Sequence, residues 1–441
     1  MAAVGANPKP GPGARAGPSL GAERRRRVED AFATLRERYL GAPPSFDATY
    51  EIRLGDVGRT WQVRACGDRC EVRPSPSRRP DVVIGTDSGT WLALREGRLS
   101  GIDAFARRRL YARGNLDLAI GFEGLFHLPG ERPPLLRISA VETRGSSIST
   151  LIAGEGPEQV VCLHGLGANK ASFFETISAL TPEHTVHAID LPGFGSSSKP
   201  TRAPYDAVWF SEQVTGYLDA MAIDRAHVVG NSMGGRVALE LALSRPDRVA
   251  SVSLLAPAVA FRRRRELAPL VRFLRPELAA IPHPMRQAQV RATFWSLFAR
   301  PDRLDPAAAD LVAEEFCKTY SSRAGRIAFY AAARSIYLDA PHGKRGFWTR
   351  LAGLEPPALF VWGDRDKLVP AGFARHVGDV LPHARQEILG ECGHVPQVEL
   401  PDRTNSMIGE LIEANLVAAA GTQSRSRAAG ALGGVASLRS G

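Results

Sequence analysis

The stretch HVVGNSMGGRVALELALS, residues 227–244, places a serine at the junction of two different hydrophobic patterns. The run before Ser232 is short and apolar, which predicts a buried strand, and the run after Gly235 is rich in Ala and Leu, which predicts a helix. A chain that turns directly from a strand into a helix crowds its corner residue, and Gly230 and Gly234 relieve that crowding on both sides. The segment therefore predicts a strand–turn–helix unit with Ser232 at the corner.

The residues from Gly230 to Gly234 form the pattern G-x-S-x-G, the nucleophile elbow. Such a corner lifts the Ser232 hydroxyl away from the backbone. The first N–H groups of the following helix point the same way and can stabilise an oxyanion. A nucleophilic serine also needs a base and a group that orients the base, so the rest of the chain must supply both.

Composition limits the classes of protein to consider. The chain has 441 residues, enough for two to three domains. No run approaches the ~20 apolar residues of a membrane span, and the N-terminus lacks the apolar core of a secretory signal, so we expect a cytoplasmic protein. The five cysteines are scattered, which favours free thiols, and neither Cys nor His shows metal-ligand spacing. We expect no cofactor and no metal.

The positive charge is concentrated in one segment. The net charge is +10, and residues 261–350 hold 17 Lys and Arg against 8 Asp and Glu. No nucleic-acid motif accompanies this excess, so we expect no nucleic-acid partner. The segment is interpreted as a solvated face, as a peripheral contact with an anionic membrane, or as a surface that steers anionic substrates. The sequence does not indicate an oligomeric state.

The organisation of the chain follows from changes in pattern. Residues 1–24 and 418–441 are rich in small residues without periodicity, which predicts two disordered tails. Residues 25–130 combine a helix, an antiparallel meander and further short strands and helices, which predicts a small α+β domain. A Pro-rich linker at 131–136 follows.

Residues 137–417 have a different sequence pattern, in which short apolar runs typical of strands alternate with helical periodicity. This pattern predicts an α/β domain with a mostly parallel sheet that helices cover on both faces. Residues 261–350 interrupt the alternation with a helical, basic segment. We expect this segment to form a cap over the C-terminal edge of the sheet, where open α/β sheets bind their ligands.

Five ordered motifs resemble those of the α/β-hydrolase superfamily, in the branch with a helical cap. They are LHGLGAN (163–169), DLPGFGSSS (190–198), GNSMGG (230–235), WGDRDKLVP (362–370) and GECGHVPQVELP (390–401). The resemblance covers about 137–417 and implies the α/β-hydrolase fold. The order Ser, Asp, His along the chain is the order that this fold uses.

The resemblance implies a catalytic triad. His394 can take the proton of Ser232 because imidazole titrates near neutrality, and Asp366 would fix the imidazole tautomer and stabilise the imidazolium. The motif assigns the acid to Asp366, the fourth residue of G-x-x-D, and leaves Asp364 to hold the turn.

The same resemblance implies an oxyanion hole made by the backbone N–H groups of Leu166 and Met233. Serine at the elbow, where epoxide hydrolases and haloalkane dehalogenases of this fold carry Asp, implies attack on an acyl carbonyl. The elbow is also similar to that of meta-cleavage-product hydrolases, which cleave C–C bonds. Those enzymes usually carry Trp directly after the catalytic His, where this chain has Val395. An ester or thioester is therefore the favoured substrate.

The N-terminal domain resembles the sterol-carrier-protein-2 (SCP2) family at about 28–128. The resemblance is carried by PDVVIGTDSGTWLALREGRLSGIDAFARRRLYARGNLDLAIGF, residues 80–122. It implies a small α+β fold with an apolar tunnel and a bound lipid.

The sequence therefore favours an esterase- or lipase-like serine hydrolase that acts on a small acyl or lipid substrate. Three alternatives remain open: a lipid-binding or transfer protein on a hydrolase-fold scaffold, an acyltransferase with the same triad, and a C–C bond hydrolase. An acyltransferase shares the acyl-serine step, so the sequence does not separate it from a hydrolase.

Overall fold

The computed structural model describes residues 18–44, 46–127, 136–143, 145–259, 286–303 and 306–436, with isolated residues between these ranges. The predicted linker at 131–136 lies outside them except for Leu136, which begins a strand. The first part of the predicted cap, residues 261–285, lies almost wholly outside them as well.

The N-terminal unit is a small α+β domain, as the sequence predicts. Its helices and strands are α1 (Pro18–Ala33), β1 (Asp47–Leu54), β2 (Arg59–Cys66), β3 (Arg69–Arg73), β4 (Val82–Thr86), α2 (Ser88–Arg95), α3 (Gly101–Ala106), β5 (Leu110–Gly114) and α4 (Leu116–Gly121). In the described residues the strands form one sheet of order β3-β2-β1-β4-β5, in which only β1 and β4 pair in parallel. Side-chain caps begin three of the helices, at Asp87, Ser100 and Asn115.

Aromatic side chains fill the interior of this unit. The ring of Phe32, on α1, stacks on Trp61 at 4.1 Å and on Trp91 at 4.5 Å between centroids. All three side chains are buried. This aromatic stack connects helices α1 and α2 to strand β2, and it fills part of the space between the helices and the sheet.

The C-terminal unit is built on a second sheet. Its strands are β6 (Leu136–Thr143), β7 (Ser146–Ala153), β8 (Glu158–Leu163), β9 (His184–Ile189), β10 (Ala226–Asn231), β11 (Val249–Leu255), β12 (Ala358–Gly363) and β13 (Arg385–Leu389). In the described part of the chain the order is β13-β12-β11-β10-β8-β9-β7-β6. The pairs from β13 to β9 are parallel, and β7 and β6 continue the sheet in antiparallel pairing.

Helices cover both faces of this sheet, which explains why every residue of β10, β11 and β12 is buried. The helices of the unit are α5 (Phe174–Leu180), α6 (Ala207–Ala220), α7 (Met233–Ser244), α8 (Gln287–Trp295), α9 (Pro306–Ser321), α10 (Arg323–Leu338), α11 (Phe347–Leu351), α12 (Phe373–Val380), α13 (Pro396–Glu399) and α14 (Pro401–Ala436). Helices α8 to α11 come from the predicted cap, inserted between β11 and β12. In the described residues no helix has both the length and the apolar character that a membrane crossing needs.

Within the described residues the structure differs from the prediction of disordered tails, of which residues 1–17 and 437–441 lie outside the described part of the chain. Helix α1 begins at Pro18, inside the predicted tail 1–24, and α14 continues to Ala436, inside the predicted tail 418–441. Extending a helix that is already nucleated fixes one residue per added hydrogen bond, so a packed segment can propagate into an Ala-rich one. A prediction from composition alone does not include this propagation of a helix from a packed segment.

The two units share a hydrophobic core. Ile102, Leu116 and Ile120 of the N-terminal unit belong to the same buried cluster as Phe173 and Ile177 of the C-terminal unit. This cluster lies on the face of the sheet that α5 and α14 cover. The units are therefore packed against each other through apolar side chains.

A buried ion pair crosses the same interface. The Lys170 ammonium is 1% exposed and lies 2.6 Å from a carboxylate oxygen of Asp190 and 2.6 Å from one of Asp117, on α4. Its Nζ also donates to Ser149 Oγ at 3.0 Å. Burial alone would lower the pKa of Lys170, but the two carboxylates outweigh it and raise that pKa.

Candidate active site

Ser232 occupies the corner between β10 and α7. Its backbone has φ 52° and ψ −114°, a strained conformation for a residue with a side chain. The close packing around it requires glycine, because a Cβ on Gly234 would lie 2.0 Å from the carbonyl oxygen of Leu163. A Cβ on Gly230 would lie 2.4 Å from the Gly234 carbonyl oxygen. The corner therefore has the geometry that the G-x-S-x-G pattern predicts.

The structure brings the three predicted triad side chains together in one hydrogen-bonded chain. The Ser232 hydroxyl lies 2.8 Å from His394 Nε2, and His394 Nδ1 lies 2.7 Å from Asp366 Oδ2. The side chain of Asp366 is fully buried and that of His394 is 5% exposed. A proton from Ser232 can thus pass to an imidazole whose other nitrogen faces a carboxylate.

Backbone N–H groups hold the acid in place. The second carboxylate oxygen of Asp366 accepts hydrogen bonds from the N–H groups of Leu368 at 2.8 Å and Val369 at 3.0 Å. Asp364 has a different role. Its carboxylate accepts a hydrogen bond from Cys392 N at 3.1 Å, which connects the loop after β12 to the loop after β13. Asp364 does not contact the imidazole.

Asn231, which sequence reasoning left unassigned, connects the elbow to the histidine loop. Its side-chain amide donates to the carbonyl oxygens of Leu255 at 3.0 Å and of His394 at 3.1 Å. The His394 N–H donates to the carbonyl of Leu297, in the cap segment, at 2.7 Å. The only sequence signal for this role is that Asn231 directly precedes the elbow serine.

The predicted oxyanion-hole residues lie on both sides of Ser232. Met233 is the first residue of α7, so its N–H has no partner within the helix. On the other side, a Cβ on Gly165 would lie 3.3 Å from Ser232 Cβ, which places the Gly165–Leu166 peptide beside the serine.

His164 orients that peptide. Its Nε2 accepts from Leu191 N at 3.0 Å, so the proton is on Nδ1, which donates to the Gly165 carbonyl at 2.8 Å. Burial lowers the pKa of His164, which favours this neutral form. Because C=O and N–H of a trans peptide point in opposite directions, the Leu166 N–H points away from the His164 ring.

A cavity of about 730 Å³ opens above Ser232, and its lining is mainly apolar. Three parts of the chain line it: the loops at the sheet edge, the cap, and the N-terminal unit. The N-terminal unit contributes Phe105, Ala106, Arg108 and Leu116. Sequence reasoning did not place this unit at the site, and no local signal in the sequence indicates it.

Charged groups also line the cavity. Burial raises the pKa of Glu175 to about 7, and the neighbouring Arg108 only partly offsets this effect. Burial likewise raises the pKa of Glu315, in the cap. Arg108 donates from Nη2 to the carbonyl of Arg303 at 2.8 Å, which connects the N-terminal unit to the cap segment. In the described residues, no three His, Cys, Asp or Glu side chains are grouped so that they could hold a metal.

Comparison with known families agrees with this geometry. A family model described as alpha/beta hydrolase fold matches residues 159–401, more than half of the chain. The chain belongs to the α/β-hydrolase family. It is an enzyme of that family, and its N-terminal unit is an SCP2 domain, because a model described as SCP-2 sterol transfer family matches residues 36–127.

Proteins that are similar in sequence to this chain are named for different reactions. The dihydrolipoyllysine-residue acetyltransferase component of the acetoin cleaving system of Cupriavidus necator is 28% identical over 63% of this chain and 70% of its own length. The pimeloyl-[acyl-carrier protein] methyl ester esterase of Aeromonas hydrophila is 27% identical over 60% of this chain and 99% of its own. A 2-hydroxy-6-oxononadienedioate/2-hydroxy-6-oxononatrienedioate hydrolase of Paraburkholderia phymatum is 28% identical over 58% and 87%.

Among solved structures, a membrane phospholipase A described as a bacterial virulence factor is similar to this chain with a TM-score of 0.54. The two are 27% identical, and the match covers 64% of this chain and 87% of the other. Each of these matches covers about three fifths of this chain, and the names of the matched proteins span several reactions.

Proposed function

We propose that this protein is a serine hydrolase that cleaves a carboxylic ester or thioester of an acyl or lipid substrate through an acyl-enzyme on Ser232. The observation that carries the proposal is the hydrogen-bonded chain from Ser232 through His394 to Asp366, which opens into a large apolar cavity. A nucleophile, a base and an orienting acid within hydrogen-bond distance are the groups that acyl transfer requires.

The reaction follows from this arrangement. Ser232 Oγ attacks the substrate carbonyl carbon while its proton moves to His394 Nε2, and the Leu166 and Met233 N–H groups stabilise the oxyanion. Collapse of the tetrahedral intermediate breaks the C–O or C–S bond, and His394 returns the proton to the leaving group. A water molecule then repeats both steps, which releases the acid and restores Ser232.

An apolar small molecule is the substrate class that the cavity favours. Its lining is mainly apolar, and its volume lies within the usual range for small-molecule sites. The similarity to proteins named as an esterase and as a phospholipase A supports an acyl ester. A cytoplasmic location and a contact with anionic membranes remain predictions from the sequence.

The domain layout is part of the proposal. We assign 25–130 to the SCP2 domain and 137–417 to the α/β-hydrolase domain, with the cap at about 261–350. The structure is compatible with a boundary between His127 and Leu136, because regular elements are described on both sides.

Acyl transfer is the second candidate, and similarity to an acetyltransferase component favours it. An alcohol or thiol would then replace water in the second step. C–C hydrolysis has less support, since the residue after His394 is Val395, which lines the cavity. Product identification separates the three reactions: a free acid, a new ester, or a cleaved carbon chain.

Labelling with a fluorophosphonate tests the proposal. We expect one labelled peptide, containing Ser232, and a fall in kcat on the order of 10⁴- to 10⁶-fold in Ser232→Ala. Ser211→Ala is the matched control, because Ser211 is a buried serine on α6 whose hydroxyl, in the described contacts, donates only to a carbonyl oxygen of its own helix. A label on another serine, or near-wild-type esterase activity in Ser232→Ala, would overturn it.

A further inference from the structure

Two cavities meet at the interface between the SCP2 domain and the hydrolase domain. One is the cavity of about 730 Å³ above Ser232, and the other, of about 60 Å³, is lined mainly by the SCP2 domain. Three side chains line both of them: Phe105, Leu116 and Phe174. Among the described residues only these three belong to both linings, so they form the partition between the cavities. We call them the partition residues.

The partition joins the two domains. Phe105 lies in the last turn of α3 and Leu116 begins α4, whereas Phe174 begins α5 of the hydrolase domain. The rings of Phe105 and Phe174 meet edge to face, with centroids 5.4 Å apart and planes at 85°. The Asp117–Lys170 ion pair fixes the neighbouring turn of α4 against the hydrolase domain. The wall therefore has a defined position relative to Ser232.

The chemistry of the partition selects an apolar group. Its three side chains carry no polar atom. The second cavity behind them is lined mainly by apolar groups such as Ile102, Leu110 and Ile120, and Arg95 and Glu123 are its charged members. Arg108 and Arg303 are exposed, so their charges lie on the solvent side of the larger cavity. Glu175 and Glu315 also line it, and burial raises the pKa of both carboxyls, which favours their neutral forms. A substrate with one apolar and one polar end would therefore direct its apolar end toward the partition.

We propose that the SCP2 domain forms the end wall of the acyl-chain site, and that Phe105 against Phe174 sets the longest acyl chain that the enzyme accepts. This inference rests on the proposed ester hydrolysis at Ser232. The carbonyl carbon lies at Ser232 Oγ, and the chain extends across the apolar cavity until it meets the partition. Removing the Phe105 ring joins the second cavity to the first and lengthens the site.

Chain-length profiles of Phe105 variants test the inference. The assay compares kcat/KM for 4-nitrophenyl esters of four to sixteen carbons. In Phe105→Ala we expect the preferred length to increase, with kcat/KM for the longest esters up about tenfold, because two more buried methylenes contribute roughly that factor. The four-carbon ester should change by less than about twofold, since it does not reach the wall. Phe105→Trp should shorten the preferred length.

Phe46→Ala is the matched control. Phe46 is also a half-buried phenylalanine of the SCP2 domain, but it lines neither cavity. It should leave the profile unchanged. Circular dichroism and thermal unfolding establish that each variant is folded, and Phe105→Leu replaces Phe105→Ala if the latter is not.

The outcomes separate the two proposals. If the wild-type protein cleaves no ester in a Ser232-dependent way, the proposed function fails. If it does, and the Phe105 variants keep the wild-type profile or Phe46→Ala shifts it equally, the inference is wrong while the proposed function stands.

Discussion

The two cavities differ in size and in how their polar groups are satisfied. Above Ser232 the cavity measures about 730 Å³, and His394, Asp366 and Asn231 all have hydrogen-bond partners. The cavity in the SCP2 domain measures about 60 Å³. At its lining, the described contacts include no hydrogen bond to Arg95 Nε, Glu123 Oε1 or Trp91 Nε1.

This difference shows where a lipid can fit. An apolar cavity of roughly 150 Å³ binds benzene, and the cavity in the SCP2 domain, at about 60 Å³, is well below that size. It does not have room for a long acyl chain. The aromatic stack around Phe32 occupies the space between the helices and the sheet. The resemblance of the N-terminal domain implies a lipid tunnel inside it, whereas the structure provides the larger space at the boundary with the hydrolase domain.

Among substitutions of polar residues near Ser232, we expect the largest loss of kcat at Asp366. Asp366→Asn should lower kcat by about 10⁴-fold, because the amide cannot hold the imidazole tautomer that accepts the serine proton. Asp364→Asn, whose oxygen bonds a backbone N–H rather than the imidazole, should lower kcat by less than about tenfold. Steady-state kinetics on a short acyl ester measure both, and the opposite ranking in folded proteins would refute the assignment.

In the SCP2 domain the largest effect is expected on stability rather than on chemistry. Phe32→Ala should lower the free energy of unfolding by about 3–5 kcal/mol, because it leaves a cavity between two indole rings. Tryptophan fluorescence during denaturant unfolding follows this change. A loss below about 1 kcal/mol would mean that the interior can collapse around the site and is not closely packed.

A buried carboxyl should give the SCP2 domain a pH-dependent stability. Burial raises the pKa of Glu123 to about 7, an effect that the Gly101 N–H and Arg95 only partly offset and to which Asp103 adds. Because this pKa is higher than in the unfolded chain, stability is largest below pH about 4.5. It falls as pH rises through 7, by about 3 kcal/mol.

Glu123→Gln should flatten this dependence, measured as the free energy of unfolding between pH 5 and 8. Glu71→Gln is the control, since Glu71 is an exposed carboxylate on the same domain. An unchanged slope in Glu123→Gln would show that Glu123 does not carry the effect.

The smallest effect is expected at the solvent side of the larger cavity. Arg108→Gln should lower kcat/KM about fivefold for an ester with an anionic group and leave a neutral ester unchanged. The difference should disappear at high salt, because screening shortens the range of an exposed charge. Arg59→Gln, on β2 and outside both linings, is the control. Equal losses on both esters would exclude steering by Arg108.

The positions of the three predicted triad residues could be read from the sequence because each lies in a short local motif. Ser232, Asp366 and His394 each follow a strand of the central sheet within a few residues, and parallel strands bring their C-terminal ends to one edge. Short sequence patterns therefore fix positions that are far apart in the chain. Their catalytic roles remain predictions until the variants are measured.

The contacts between the domains were not predictable in the same way. Phe105 and Phe174, or Asp117 and Lys170, come together only where the two units pack against each other, and neither pair has a local pattern. The antiparallel strands β6 and β7 were also missed, because they carry no motif. Helix α14 was missed beyond residue 417, because its continuation depends on the packed part that precedes it.

The shared core also has a consequence for how the chain is made. Ile120 of the SCP2 domain contacts a cluster that includes Ile412, so about 290 residues must be synthesised before this cluster is complete. At about 5–20 residues per second, the apolar side of α3 and α4 waits roughly 15–60 s for its full partner surface. During that interval these apolar side chains of the nascent chain lack part of the surface that buries them, and exposed apolar surface of this kind favours aggregation.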